Sequence, residues 1–120
     1  MIIAAHLLVA LVAIEHLYIL WIEVFAWETA GRKTFKSFPS ELFTATKSLA
    51  ANQGIYNGFL AAGLIWSFFI QDLSWAENIR LFFLGCVSVA GIFGALTASR
   101  SIFFKQALPA IIALIVVILT

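Results

Sequence analysis

Cysteine, proline and charge are all scarce in these 120 residues, and each scarcity removes a class of explanation. A single cysteine, Cys86, leaves no intramolecular disulfide and no multi-cysteine metal centre, so its expected role is that of a small buried residue. The only prolines are Pro39 and Pro109, which leaves long stretches open to uninterrupted helix. Charged residues are 11% of the chain, where soluble domains carry about 25%. A net charge of +1 with no basic stripe of interleaved aromatics excludes nucleic acid as a partner. No nucleophile-and-base pair, glycine-rich phosphate loop or zinc-ligand spacing appears, so no cofactor and no metal are expected and no reaction can be named. The first apolar run has no Lys or Arg before it and is too long for a signal-peptide core, so it reads as a retained helix.

Apolar surface, by contrast, is abundant: hydrophobic residues make up 63% of the chain, and its mean hydropathy is +1.06. Surface of this kind needs lipid as its solvent. The expected fold is all-α, a polytopic membrane protein whose single domain is a four-transmembrane-helix bundle with spans at about 2–27, 48–70, 75–98 and 102–120. Gly31 is the expected C-cap of the first span, with Arg32 and Lys33 beyond it. In the hydrophilic segment that follows, Ser40 is the expected N-cap of a short interfacial helix. Asp72 or Ser74 is placed to cap the third span, and Trp75 suits the membrane interface. Gly54, Gly58 and Ala62 form one row of small residues in the second span, as do Ala90, Gly94 and Ala98, or Gly91 and Ala95, in the third; such rows let helices approach closely. Ser99–Ser101 reads as the next break. Pro109 falls in the first turns of the last span, where a missing N–H is tolerated.

Loop charge predicts the orientation. Arg32, Lys33, Lys36, Lys47, Arg100 and Lys105 fall on one side and only Arg80 on the other, which puts the basic loops in the cytoplasm and both termini outside a plasma (inner) membrane.

Polar groups inside an apolar run are costly, and Ile14–Glu28 holds several: Glu15, His16, Glu23 and Glu28. At 100° per residue His16, Glu23 and Trp27 share a stripe about 40° wide, while Glu15 points about 100° away from His16. Antiparallel first and second spans bring Glu23 and Trp27 level with Asn52, Gln53, Tyr56 and Asn57. A ligand pocket is therefore expected in the cytoplasmic half, with Glu23 as base or anchor, Asn52, Gln53 and Asn57 as amide donors and Tyr56 as a hydroxyl. The competing expectation is that Glu23 pairs with Lys33, Lys36 or an amide only to hold helices together. Glu15 and His16 are candidates for proton titration, Glu15 being protonated or bonded to a polar group on another helix. They are poor metal ligands, because adjacent residues diverge and His6 lies about 80° around and about 15 Å along the helix from His16. Asp72, Glu77 and Arg80 read as a solvated turn.

The stretches EHLYILWIEVFAWETAGRKTF and NQGIYNGFLAAGLIW resemble the small bacterial membrane proteins described as domain of unknown function 1304. That resemblance implies four membrane helices and no established activity. The order of spans, the basic first loop and the ANQ run are more weakly similar to the membrane-associated proteins of eicosanoid and glutathione metabolism (MAPEG). This second resemblance implies a homo-oligomer, a trimer in that superfamily, binding glutathione or lipid between subunits. Asn52 and Tyr56 match its motif and Arg100 is one further counterpart, but Lys47 or Ser48 stands where it has arginine and Ile55 where it has glutamate. Three functions follow as expectations: a module that binds or acts on a small amphipathic or lipidic molecule, a proton-coupled transporter using Glu15 and His16, or a structural membrane subunit.

Overall fold

A computed structural model describes residues 1–98 and 103–120. The expectations placed on Ser99, Arg100, Ser101 and Ile102 lie outside the described residues. Within them the chain is all-α. Helix α1 spans Ile2–Phe25, α2 Ala30–Thr34, α3 Lys47–Ser67, α4 Leu73–Thr97 and α5 Leu108–Leu119. A three-residue 3-10 turn, Ser40–Leu42, precedes α3, and a π-helical turn, Phe103–Ala107, runs directly into α5. Among the described residues two helices, α1 and α4, are long and apolar enough to cross a membrane.

The chemistry of each terminus accounts for its position. No glycine or proline interrupts α1, which stops at Phe25. Gly31 does not cap it. That residue lies buried inside α2, its N–H donating to the Ala26 carbonyl at 2.9 Å. Ser40 begins the 3-10 turn but does not cap it, because its hydroxyl is taken by Arg32 Nη1 at 3.0 Å. The last turn of α3 tightens as the Ser67 hydroxyl donates to the Leu64 carbonyl at 2.6 Å. Asp72 caps α4, its Oδ1 accepting from the backbone N–H of Ser74 at 3.0 Å and Trp75 at 3.2 Å. Pro109 has no N–H to donate and would press its ring on the carbonyl four residues back. The wider π turn just upstream lets the helix continue through it.

The helices fold into two compact units, residues 1–14 with 60–120 and residues 15–59. In the first, Val9 and Val12 of α1, Leu64 of α3, Leu84 and Val87 of α4 and Ala113 of α5 form one fully buried cluster. Glycine sets two of its close approaches: Gly63 faces the Phe83 ring, and Gly91 lies against the backbone of Ala107. Gly91, of the expected Gly91/Ala95 row, thus stands against the C-terminal helical segment. In the second unit the C-terminal part of α1 packs on the start of α3. A Cβ at Gly54 would fall 2.7 Å from Val24 Cγ2 and 3.0 Å from Glu23 Cβ, and one at Gly58 would fall 2.5 Å from Leu20 Cδ1. The row Gly54/Gly58 is therefore where α1 and α3 meet, and it determines which side chains of α3 face Glu23.

Candidate functional site

Of the groups in the first apolar run, Glu23 makes a short bond to a residue on another helix. It sits in the last turn of α1, 9% exposed, with Asn57 of α3 opposite it at 7%. Asn57 Nδ2 donates to Glu23 Oε1 at 2.6 Å and more weakly to the Gln53 carbonyl at 3.3 Å. A carboxylate accepting from a buried amide is a charge-assisted bond, stronger than one between neutral groups. Glu23 Oε2 and Asn57 Oδ1 make no hydrogen bond among the described residues. The described partner of Glu23 is thus the amide and neither Lys33 nor Lys36.

The other expected members of this site are placed differently. Asn52, Gln53 and Tyr56 are exposed, and their side chains make no hydrogen bond among the described residues. Tyr56 instead sets its ring edge-on to Phe59 at 5.7 Å. The reason is rotational: Gly54 and Gly58 bring Asn57 inward, and the 3.6-residue period turns Tyr56 about 100° and Asn52 about 140° from it. Gln53 contributes only its backbone carbonyl.

Trp27, on the expected polar stripe, also turns elsewhere. Its indole N–H donates to Thr46 Oγ1 at 3.1 Å, and that hydroxyl donates on to the Leu42 carbonyl at 2.7 Å. Its ring lies 5.6 Å from Phe35, 5.7 Å from Phe38 and 4.8 Å from Phe43. Arg32 covers this aromatic cluster, its guanidinium 5.0 Å from the Phe43 ring while Nε and Nη1 donate to the carbonyls of Glu28 and Ser40. Glu28 accepts from Thr44 Oγ1 at 2.9 Å and pairs with Lys47 at 3.5 Å. The Thr44 hydroxyl above all, with Lys47 and Arg32, holds the Glu28 carboxyl below its ordinary range. The contribution is present above the unfolded carboxylate pKa and fades as pH falls through the lowered one. The hydrophilic segment between α1 and α3 is therefore packed, a feature without a periodic signal in the sequence.

Glu15 and His16 diverge as adjacent helical residues must. His16 is fully buried, and Glu15 Oε1 is buried with no hydrogen-bond partner among the described residues. No three His, Cys, Asp or Glu side chains gather closely enough to hold a metal ion among the described residues.

Comparison with known proteins places this geometry in a family. The family described as Protein of unknown function (DUF1304) matches residues 10–118. The chain belongs to the DUF1304 family. It is also similar to the uncharacterized protein YpaA of Lactococcus lactis subsp. lactis (strain IL1403), at 38% identity over 109 residues covering 88% of each chain. No solved structure matches. The match to DUF1304 takes in Glu15 and the buried polar residues of α1 and α3, His16, Glu23, Asn57 and Ser67.

Coupling between Glu23 and Asn57 is measurable. Removing either partner leaves the other buried and under-satisfied, so Glu23→Ala and Asn57→Ala should each destabilise the chain. The double variant should lose less than the sum of the two, with a coupling of about 0.5–2 kcal/mol. Denaturant unfolding in detergent of the three variants reads this directly; strict additivity would show that the bond contributes nothing.

Proposed function

We propose that this DUF1304 member is a four-span membrane protein with both termini outside, and that Glu23 and Asn57 are the polar centre of a site for a small amphipathic or lipidic molecule in its cytoplasmic half. The observation that carries the reading is the buried carboxylate–amide bond, which leaves Glu23 Oε2 and Asn57 Oδ1 uncommitted as acceptors. Such groups beside an apolar helix recognise a ligand carrying a hydroxyl, amine or ammonium on an apolar body. The membrane reading is supported by exposure: only 28% of the most apolar window of α1 and 22% of that of α4 is buried. A core helix of a water-soluble protein would be mostly buried, whereas these faces present apolar side chains outward and need lipid around them.

The unpartnered Glu15 Oε1 favours a second reading, a proton-coupled transporter in which Glu15 and the buried His16 titrate. The glutathione-enzyme resemblance draws little support, because Lys47 or Ser48 stands where that superfamily has arginine and Ile55 where it has glutamate. Native mass spectrometry of the protein solubilised from membranes separates the readings. Binding predicts a retained small molecule on the wild type, lost from Glu23→Gln and Asn57→Ala and kept by Glu15→Gln. A wild-type spectrum with no bound mass, even after incubation with membrane lipid extract, would remove the binding function.

A further inference from the structure

Arg80 is the only cation in α4, and the structure gives it a more defined setting than a solvated turn. Its Nε donates to Ser67 Oγ at 2.9 Å, and Ser67 is itself fully buried at the end of α3. Because the Ser67 hydroxyl donates its own proton to the Leu64 carbonyl, its lone pair is directed to Arg80. The guanidinium carbon lies 4.7 Å from the centroid of the Phe68 ring. Held at Nε and backed by a ring, the planar group is fixed in orientation, yet its two Nη nitrogens make no hydrogen bond or ion pair among the described residues.

Neither nearby carboxylate fills that place. Asp72 spends Oδ1 on the backbone at the start of α4, and Glu77 is exposed and makes no ion pair with Arg80. His6 approaches the same Phe68 ring, centroids 5.5 Å apart, with its imidazole making no hydrogen bond among the described residues. Two nitrogen-bearing groups therefore flank one phenyl ring, and the stronger is a fork with both tines open.

A fixed guanidinium fork matches an oxoanion that can accept two parallel hydrogen bonds. The surroundings choose among oxoanions. Trp66 and Trp75 are exposed on either side of the α3–α4 turn, as are Phe69 and Leu73 between them, and indole and apolar side chains together mark headgroup depth in a bilayer. We propose that Arg80, braced by Ser67 and Phe68, binds the phosphodiester of an anionic phospholipid at the α3–α4 turn. This site is independent of the one at Glu23 and Asn57.

The test is thermal unfolding in a neutral detergent, titrated with palmitoyl-oleoyl phosphatidylglycerol and separately with inorganic phosphate. The lipid should raise the melting temperature of the wild type saturably, and phosphate at equal concentration should not. Equal stabilisation by both would support the same oxoanion site with a free anion as occupant. In Arg80→Gln the half-saturating lipid concentration should rise about tenfold, the loss expected for a charge-assisted pair. Arg80→Lys, which keeps the charge and loses the fork, should fall between. Lipid stabilisation unchanged in Arg80→Gln would overturn the proposal. Should Arg80→Gln fail to fold, the number of phosphatidylglycerol molecules retained by Arg80→Lys in native mass spectrometry decides: fewer than wild type supports the site, and an equal number overturns it.

Discussion

Adding one methyl group at Gly91 should destabilise the protein by about 3 kcal/mol or more, the upper end of what overpacking costs. A Cβ there would fall 2.7 Å from both the backbone nitrogen and the Cβ of Ala107 and 2.8 Å from its Cα. Those atoms belong to a helical turn and cannot swing aside, so α4 and the C-terminal helical segment would have to separate. The buried faces of Val87 and Ala110 would part with them. At Gly58 the first atom met is Leu20 Cδ1, the end of a flexible side chain, so alanine there should cost less. At Gly85 a Cβ meets nothing within 4 Å. Gly85→Ala should therefore be neutral, or stabilising by up to about 1 kcal/mol through helix propensity alone. Thermal unfolding of the three alanine variants in one detergent reads the order, and a Gly91→Ala protein as stable as Gly85→Ala would show that the contact is not close.

The second large effect is expected at Phe43. It is 1% exposed, with ring centroids 4.8 Å from Trp27 and 5.0 Å from Phe38 and the Arg32 guanidinium against its face. Phe43→Ala should cost about 3–5 kcal/mol, the range for deleting a buried phenyl ring. Phe43→Leu, which restores most of the volume without the ring contacts, should cost about 1–2 kcal/mol. Denaturant unfolding in detergent measures both, and limited proteolysis between residues 29 and 46 reports whether the loss is local. An alanine variant within 1 kcal/mol of wild type would mean that the segment is only loosely tied down.

Particular residues show what could be read ahead of the structure. Helices follow from long apolar runs with few breakers, and the meeting of Glu23 with Asn57 follows from helical period and antiparallel level. Which other polar residues of α3 join them did not follow, because Gly54 and Gly58 decide the contact face and rotate Asn52 and Tyr56 outward. Gly31 looked like a cap by type, but the chain forms another short helix around it instead of ending. The packing of Phe35, Phe38 and Phe43 on Trp27 has no sequence period to reveal it, since an irregular segment places side chains by tertiary contact. Arg80 looked like a surface charge because its anchor, Ser67, is an unremarkable serine thirteen residues earlier.

The setting of Trp27 has an optical consequence. Of the four tryptophans, Trp21, Trp66 and Trp75 are exposed, while Trp27 is partly covered, ringed by three phenylalanines and bonded through its indole nitrogen. A quencher dissolved in the surrounding phase reaches the first three excited states far more readily than the fourth. The emission that survives quenching is then weighted toward one indole, so the protein carries a native reporter for the segment between α1 and α3, and no extrinsic dye is required to follow it.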